Sequence, residues 1–340
     1  MIQESEREAL CVRVPLRETE RVRRWLAERG LLLRGCSILR EGRHALIPVS
    51  GEVEGYPLVI AKVRCRRNPG MLEVLEGVLD RQELELVRRS FDIVGDIAVV
   101  EVPEELEHRR REIAEALLRV NPHVRVVLRK LGAVEGELRL RRLEHLAGER
   151  RTWTVHREHG IRLWVDLAKV YFSPRLAYER RRVAEQVREG ERVVDMFAGA
   201  GGFALLMARQ ADASVLAIDL NPHAVRCIRK SLSMNRLRGR VYPVLGDAAT
   251  VTPERWASRV VMNLPMGSRA FLKTAFRAIR ERGVVHYYTT AAEGEVTGRV
   301  DEALEAAQRA GVEAEPLLVR RVRSYAPGRA HYVIELLVRA

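Results

Sequence analysis

Three aspartates end three consecutive apolar stretches, and a glycine cluster follows the first of them. Asp195 ends "RVVD" and runs into Gly199 and Gly201, Asp219 ends "SVLAID", and Asp247 follows "RVYPVLG". Glycines between a strand and a helix let a ligand approach the backbone, because no Cβ stands in the way. Asp219 lies 20 residues after Gly199, where a carboxylate meets ribose hydroxyls in nucleotide-binding sheets. The spacing predicts a nucleotide-like cofactor, with Asp247 placed to reach an adenine amino group.

The residues around the glycines narrow the chemistry of that cofactor. No G-K-[ST] sequence follows them, which excludes a P-loop. Asp195, four residues before the first glycine, would repel a pyrophosphate but suits a cationic cofactor without phosphate. S-adenosylmethionine fits this description. The alternative interpretation is that Asp195 and Asp219 only cap strand ends.

The motif "NLP", from Asn263 to Pro265, ends a fourth apolar stretch. Strand ends at this edge of an open sheet carry ligand contacts, and an amide close to a rigid proline suits the edge of a flat base. Methyltransferases that act on exocyclic amines usually have an aromatic residue after this proline, whereas Met266 stands here. The motif therefore predicts a nucleobase substrate and disfavours the exocyclic-amine class.

A fifth element, "KVYFSPRLAYERRR", precedes the first aspartate. Ser173 and Pro174 predict a helix start, which places Arg175 and Glu179 one turn apart on the same face. On the pattern alone, these two side chains are expected to form a salt bridge. The helix directly precedes the cofactor strand, however, so a carboxylate held there is also a candidate general base.

The C-terminal half predicts the scaffold that positions these residues. Apolar strands alternate with the helical segments "GFALLMARQ", "NPHAVRCIRKSLSMNRL" and "RAFLKTAFRAIRERG", and "GVVHYYTT" adds a fifth strand. This alternation is typical of a doubly wound, mostly parallel α/β sheet. After a further helix, "EPLLVRRVRSY" and "HYVIELLV" predict an antiparallel hairpin at the edge of that sheet.

The N-terminal half predicts smaller α+β units. The segments "ALCVRV", "RETERVRRWLAERG", "LLLRG" and "HALIPV" indicate one unit that ends near residue 65. The segments "DIAVVEV", "EELEHRRREIAEALLRV" and "VRVVLRK" indicate a mixed middle unit. Residues 108 to 151 contain twelve Lys and Arg but only six Asp and Glu. A basic run of this kind ordinarily marks a solvated helix face.

Composition indicates a basic, soluble protein. The 340 residues contain 59 Lys and Arg against 46 Asp and Glu, a formal net charge of +13. A polyanion is therefore the first partner to consider. No apolar run approaches the ~20 residues of a membrane span, and the charged N-terminus is unlike a signal peptide, so we expect a cytoplasmic protein with no membrane contact. Four dispersed cysteines without a C-x-x-C pair predict no metal site and leave a disulfide open among Cys11, Cys36 and Cys65.

Together these motifs resemble a known family. The resemblance rests on "LEHLAGERRTWTVHREHG", "VYFSPRLAYERRRV", "VVDMFAGAGGFA", "AIDLNPHAV", "VVMNLP", "GVVHYYT" and "SYAPG". In this order they are similar to the archaeal and eukaryotic tRNA (guanine-37-N1)-methyltransferase family, and the opening segment resembles its full-length archaeal form.

The resemblance implies three domains and a monomeric enzyme that binds tRNA at the anticodon loop and the elbow. A small α+β domain at residues 1–66 would recognise the elbow, and a middle α+β domain at 67–158 would bind the anticodon arm. Residues 159–340 would form a class I, Rossmann-like methyltransferase domain that uses S-adenosylmethionine.

The resemblance also assigns roles to individual residues. Glu179 would take the N1 proton, Arg139 would stabilise charge on O6, and Asn263 and Pro265 would bind the target base. Without the resemblance, Arg139 and its neighbours Arg141 and Arg142 would be interpreted as phosphate contacts or as solvated charges. The residues implied at the cofactor are Tyr171, Arg175, Asp195, Phe197, Gly199, Gly201, Asp219, Leu220, Asp247, Ala248 and Asn263.

Three alternatives stay open or are disfavoured by particular residues. A wyosine-pathway enzyme would use the same fold and cofactor, either for aminocarboxypropyl transfer or for a second methylation of a tricyclic intermediate; "NLP" stands against the former. A cytosine-5 methyltransferase needs a nucleophilic cysteine near the fourth strand, whereas Cys227 lies in a predicted helix. A noncatalytic RNA-binding scaffold would not require the intact acids and glycines.

Overall fold

The computed structural model describes residues 3–33, 35–67, 70–136 and 140–340. Contacts along the chain divide it into two compact units, Met1–Leu86 and Val87–Ala340. The three-domain division expected from the resemblance stays a prediction. Among the described residues, no helix is both long and apolar enough to cross a bilayer.

The first unit is a four-stranded antiparallel sheet with one helix packed on it. The strand order is β2-β3-β1-β4, with β1 Gln3–Pro15, β2 Leu39–Glu41, β3 His44–Pro48 and β4 Leu58–Arg67. Helix α1, Thr19–Glu28, buries Val22 and Leu26 against Val12 and Ile47 of the sheet. Two short helices follow, α2 Met71–Leu75 and α3 Arg81–Leu86. Within the segment "LLLRG", Leu32 forms an isolated bridge with Val49.

A disulfide joins Cys36 to Cys65 in the first unit. The two residues are 29 positions apart, so the bond ties the segment after α1 to strand β4. Cys11 and Cys227 are buried free thiols. Of the pairings that the sequence left open, the structure therefore selects Cys36 with Cys65.

The second unit begins with a mixed sheet of order β5-β6-β7-β8. Its strands are β5 Asp92–Val94, β6 Ile97–Val100, β7 Val126–Glu135 and β8 Leu140–Gly148. Helix α4, Arg110–Val120, connects the parallel pair β6 and β7 and buries Ile113 and Leu117. A separate hairpin of β9 Trp153–Glu158 and β10 Ile161–Asp166 leads to the large sheet.

The large sheet has seven strands in the order β13-β12-β11-β14-β15-β17-β16. Five are parallel: β11 Arg192–Asp195, β12 Ser214–Asp219, β13 Arg240–Leu245, β14 Ala257–Met262 and β15 Ile279–Ala292. The hairpin of β16 Glu313–Ala326 and β17 Arg329–Arg339 adds two antiparallel strands. The helices are α5 Ala177–Ala184, α6 Gly202–Gln210, α7 Pro222–Ser233, α8 Ala248–Val251, α9 Leu272–Ala278 and α10 Val296–Ala310.

This architecture confirms the class I methyltransferase fold and the antiparallel edge hairpin. One boundary was wrong, because "RAFLKTAFRAIRERG" is not helical to its end. Helix α9 stops at Ala278, and β15 begins at Ile279. Arg282 pairs with Arg339, and Ile279 pairs with Ala257 of β14. These pairings, which are distant in sequence, override the helix propensity of the local residues.

We predict that the disulfide stabilises the first unit. Closing a loop of this length restricts the unfolded chain and is worth about 3 kcal/mol. Reduction of the wild-type chain should therefore speed hydrogen exchange in peptides from residues 1–86 and leave those from residues 87–340 unchanged, as measured by mass spectrometry. A double variant, Cys36→Ser with Cys65→Ser, should show the faster exchange without reductant. Equal exchange in oxidised and reduced wild-type protein would contradict the prediction.

Candidate active site

The polar residues singled out at four strand ends lie on one edge of the large sheet. Asp195 ends β11, Asp219 ends β12, Asp247 follows β13 and Asn263 follows β14. These strands are parallel neighbours, so their carboxyl ends meet at the same edge. This is the edge at which open α/β sheets bind ligands, where the strand order reverses.

The glycine turn between β11 and α6 is held by Asp219. The amide of Gly199 donates to one Asp219 carboxylate oxygen at 2.7 Å, and the amide of Asn221 donates to the other at 2.8 Å. A Cβ on Gly199 would lie 3.5 Å from the carbonyl oxygen of Tyr171. Gly201 caps α6 with φ of 85°, and a Cβ there would lie 2.8 Å from Leu205. The turn therefore needs glycine and has the segment around Tyr171 as one wall.

Asp195 is a fully buried acid with little compensation. Its exposed fraction is 0%, and no side chain among the described residues donates a hydrogen bond to either carboxylate oxygen. Burial, together with the nearby Asp219 carboxylate, raises the pKa of Asp195 from 3.8 to about 8. The backbone amides of Phe197 and Ala204 oppose this shift only in part. An orphaned carboxylate beside a glycine turn fits a ligand that brings a positive charge or hydrogen-bond donors.

The rim of the edge combines apolar side chains with an acid. Leu220 and Leu245 remain exposed, at 43% and 55%. Asp247 accepts a hydrogen bond from the amide of Ala249 at 2.9 Å and so caps α8, whose first residue, Ala248, is buried. Phe197 packs edge-on against Phe271, with ring centroids 4.9 Å apart. Exposed leucines next to two strand-end acids offer a surface for a flat ring with polar edges, such as an adenosine.

Asn263 and Pro265 occupy a tight turn beyond β14. Both side chains are half-buried, and the amides of Gly267 and Ser268 both donate to the carbonyl of Leu264 at 2.9 Å. Among the described residues, none makes a side-chain hydrogen bond with the Asn263 amide. The amide is thus held at the sheet edge with its hydrogen-bonding capacity available to a ligand.

Glu179 lies in α5 and is almost completely buried, with 2% of its surface exposed. Its Oε1 accepts hydrogen bonds from the Tyr288 hydroxyl at 2.7 Å and from Arg182 Nη2 at 2.8 Å. Its Oε2 accepts from Arg182 Nε at 3.0 Å and from Arg320 Nη1 at 2.7 Å. Two guanidinium groups and a phenol therefore stabilise the ionised carboxylate.

The salt bridge expected between Arg175 and Glu179 does not form, so that prediction was wrong. Arg175 Nε instead donates to Asp92 of β5 at 2.7 Å. Arg175 lies in a 3₁₀ turn, Pro174–Leu176, that precedes α5, so the two residues do not share one α-helical face, and each side chain bonds tertiary partners instead. Sequence reasoning missed Tyr288 and Arg320, which lie 109 and 141 positions from Glu179. Of the three residues that donate to Glu179, only Arg182, three positions away in the same helix, could be predicted from local spacing.

A cavity of about 300 Å³ lies beside Tyr171. Arg323 of β16 closes one side, donating to the Tyr171 hydroxyl at 3.1 Å and to the Ser173 hydroxyl at 3.3 Å. The predicted Arg139 lies outside the described residues, whereas its neighbour Arg141 lines the cavity. Glu179 and Asn263 are not among the lining residues. The polar lining consists of Asp92, Glu101, Lys130, Arg141, Tyr171, Ser173, Arg175, Arg323, Ser324 and Tyr325.

Among the described residues, no group of three or more His, Cys, Asp and Glu side chains is arranged to hold a metal ion.

Three family profiles match successive parts of the chain. The tRNA methyltransferase 5 N-terminal domain matches residues 11–57, and the TYW2 N-terminal domain matches residues 71–152. The TRM5/TYW2 methyltransferase domain matches residues 154–315. The last match covers the edge on which the aspartates and "NLP" lie.

Relatives with assigned activities match over most of their length. Trm5b of Pyrococcus abyssi, a tRNA (guanine(37)-N(1))-methyltransferase, is 43% identical over 97% of this chain and 99% of its own. A tRNA(Phe) (4-demethylwyosine(37)-C(7)) aminocarboxypropyltransferase of Pyrococcus horikoshii is 31% identical over 79% of this chain and 96% of its own.

Solved structures agree with these matches. The Pyrococcus abyssi Trm5b crystal structure superposes with a TM-score of 0.73 over 98% of this chain and 100% of that one. An archaeal Trm5 in complex with tRNALeu is 34% identical, with a TM-score of 0.70 over 96% and 99%. TYW2 of Methanocaldococcus jannaschii in complex with AdoMet is 27% identical, with a TM-score of 0.59 over 74% and 99%.

We predict that Asp195 makes the ligand-free protein less stable as pH rises. The native state keeps a proton between about pH 4 and pH 8 that the unfolded state releases, so stability falls through that window. Asp195→Asn removes this titration. Its melting temperature should exceed that of the wild type by a margin that grows from pH 5 to pH 8 and reaches at least about 2 °C.

Scanning calorimetry across this pH range would measure the effect. Asp212→Asn, a change at an exposed acid, serves as the control and should follow the wild-type curve. A constant difference between Asp195→Asn and the wild type at every pH would contradict the assignment.

Proposed function

The chain belongs to the TRM5/TYW2 methyltransferase family, and we propose that it transfers a methyl group from S-adenosylmethionine to N1 of guanosine 37 in tRNA, next to the anticodon. The observation that carries the proposal is the 43% identity to Pyrococcus abyssi Trm5b, which extends over 97% of this chain. The match to the N-terminal domain of tRNA methyltransferase 5 at residues 11–57 supports it independently.

The edge of the large sheet fits this cofactor. Asp195 offers a buried carboxylate to a cationic group, and the Asp219 carboxylate lies where ribose hydroxyls bind. The exposed Leu220 and Leu245 flank the position of the adenine, with Asp247 and Ala248 at its polar edge. When bound, the cofactor supplies a methyl group activated by a sulfonium centre. Gly199 and Gly201 hold the turn beside the cofactor in its positive-φ conformation.

Glu179 is proposed as the general base. Guanine N1 carries a proton and is a poor nucleophile until that proton is removed. A carboxylate within reach takes the proton, and a nearby cation stabilises the charge that spreads to O6. The family resemblance assigns that cation to Arg139. Glu179 and its neighbours Arg182 and Arg320 form a strongly polar cluster, which suits a step in which charge moves.

The target base must leave the stacked anticodon loop, because N1 lies on its Watson–Crick edge. We propose that Asn263 and Pro265 bind that edge, since the Asn263 amide has its donors and acceptor available. Tyr171 borders the glycine turn, and Tyr171 and Arg175 both line the adjoining cavity, so we propose that these two residues contact the cofactor.

RNA binding is consistent with the charge of the chain. The net charge of +13 favours a polyanion, and phosphate contacts would position the RNA without reading its sequence. We propose that the middle region, residues 67–158, contacts the anticodon arm. Residues 1–66, in the first unit, would contact the elbow of the tRNA.

A wyosine-pathway activity is the second candidate. The match of residues 71–152 to the TYW2 N-terminal domain favours it. The aminocarboxypropyltransferase of Pyrococcus horikoshii, however, is 31% identical over 79% of this chain, which is a weaker and shorter match than that to Trm5b. The two activities differ in the group transferred and in the RNA required.

Product analysis on tRNA transcripts separates these candidates. Unmodified transcripts with G or A at position 37 would be incubated with methyl-labelled S-adenosylmethionine and digested to nucleosides for mass spectrometry. Label in 1-methylguanosine, only with G37, is the expected result. Transfer of the aminocarboxypropyl group, or label only with RNA that carries a wyosine intermediate, would overturn the proposal in favour of the second candidate.

We predict that Glu179→Gln lowers the single-turnover methylation rate by about 10²–10⁴-fold, the usual contribution of a general base. Glutamine keeps the size of the side chain but does not accept the proton. Affinity for S-adenosylmethionine, measured by calorimetry, should stay within a factor of about two. A rate equal to that of the wild type between pH 6 and pH 9 would remove Glu179 as the base.

We predict that deletion of residues 1–65, most of the first unit, weakens discrimination between whole tRNA and an anticodon stem-loop. The elbow is absent from the stem-loop, so contacts to it favour only the intact tRNA. The ratio of kcat/KM values for the two RNAs should fall at least about tenfold on deletion. Cofactor affinity is the folding control, and an unchanged ratio would refute the role of this unit.

A further inference from the structure

The carboxylate of Glu179 has no acceptor position left. A carboxylate has about four lone-pair directions, and four hydrogen bonds occupy them: two from Arg182, one from Tyr288 and one from Arg320. With 2% of the residue exposed, water does not replace any of these donors easily. As arranged, the carboxylate cannot also accept the N1–H of a guanine.

Action of Glu179 as a base therefore requires that one donor leave, an inference that rests on the proposed function. The three donors differ in how firmly they are held. Tyr288 is 1% exposed. Arg182 makes two bonds to Glu179 and a third contact, to Glu335 of β17 at 2.5 Å. Burial holds Tyr288 in place, and the contact to Glu335 anchors Arg182 beside Glu179.

Arg320 is held least firmly. It makes one hydrogen bond to Glu179 Oε2, and its side chain is 32% exposed. Its other contact is to the ring of Tyr178, 5.0 Å away, and Tyr178 itself is largely exposed. Arg320 lies on β16, the edge strand of the sheet. An exposed edge next to the site is accessible to a bound polyanion.

We propose that Arg320 is a latch on the catalytic base. In the RNA-free protein it occupies Oε2 of Glu179, and bound tRNA draws its guanidinium to a backbone phosphate. Arginine suits this exchange, because its guanidinium bonds carboxylate and phosphate oxygens alike. The latch keeps the buried carboxylate compensated until the substrate arrives. Arg320 is thus a positioning residue that acts through Glu179.

Once Arg320 has left Oε2, Glu179 can accept the proton. The N1–H bond of guanine breaks, its electron pair stays on the base, and the proton forms an O–H bond at Oε2 of Glu179. The N1 electron pair then bonds the methyl carbon, as the bond from that carbon to sulfur breaks and leaves its pair on sulfur. Product release and loss of the proton to water restore the carboxylate and its bond to Arg320.

The groups that face Glu179 determine how its proton affinity depends on Arg320. Arg182 comes from its own helix, Tyr288 from β15 and Arg320 from β16, and Glu335 of β17 lies behind Arg182. Burial opposes ionisation of Glu335, but His286 and Arg182 outweigh it and lower the pKa of Glu335 to about 2. Glu335 therefore stays charged and shares Arg182 with Glu179.

The first test is the pH dependence of kcat/KM for methylation in Arg320→Gln, because this quantity reports the RNA-free enzyme, in which Arg320 still bonds Glu179. Loss of one of the two cations beside Glu179 should raise the pH at which kcat/KM is half-maximal by about one unit. Arg320→Lys keeps the charge and should stay near the wild-type midpoint. Arg321→Gln, on the adjacent position of β16, is the matched control and should not move it. Superimposable profiles for Arg320→Gln and the wild type would overturn the latch.

The second test is the salt dependence of tRNA binding. A phosphate contact by Arg320 predicts that the slope of log Kd against log salt falls in magnitude by somewhat less than one unit in Arg320→Gln. An unchanged slope would show that Arg320 stays on Glu179 in the complex and would overturn the exchange.

A third measurement separates failure of the latch from failure of the proposed function. Carboxyl ¹³C NMR of the RNA-free protein reports the titration of Glu179 without any reaction, with Glu179→Gln assigning the signal. A higher midpoint in Arg320→Gln is expected. If this shift appears but no 1-methylguanosine forms, the proposed function fails and the pairing stands. If 1-methylguanosine forms and the midpoint is unchanged, the latch fails.

Discussion

The burial of the Glu179 carboxylate is the constraint on which the arrangement of the site depends. A charge with 2% exposure is tolerated only with matched donors, and these come from three separate elements: α5, β15 and β16. The ion-pair cluster therefore ties the helix before the cofactor strand to the antiparallel edge hairpin.

The carboxyl groups of Asp195 and Glu179 have opposite hydrogen-bonding environments. Glu179 has every lone-pair direction filled, whereas no side chain among the described residues donates a hydrogen bond to Asp195, and burial beside Asp219 raises the pKa of Asp195 to about 8. A bound ligand would supply the positive charge or donors that Asp195 lacks. A bound RNA would remove the Arg320 hydrogen bond from Glu179.

The segment between β10 and α5 connects these two regions. Arg180 forms a buried ion pair with Glu158 at 2.5 Å, and a Cβ on Gly202 would lie 2.6 Å from the Arg180 side chain. Burial opposes ionisation of Glu158, but His156 and Arg180 lower its pKa to about 2. The pair thus stays charged and holds the segment against the start of α6. Glycine is needed there for packing as well as for the approach of a ligand.

The sequence by itself determined the alternating sheet, the glycine turn and the four polar strand ends. Each depends on a signal contained in a few neighbouring residues: apolar periodicity, the Asn221 cap before Pro222, or glycine after a strand. Parallel strands then bring their carboxyl ends together in any fold of this class. The tertiary structure alone decided where Arg175 and Glu179 point, where β15 begins and which cysteines pair. In each case the chain chooses among partners that lie apart in the sequence, and two partners of Glu179 lie more than a hundred positions from it. Burial decides which partner is bonded, and local spacing does not encode burial.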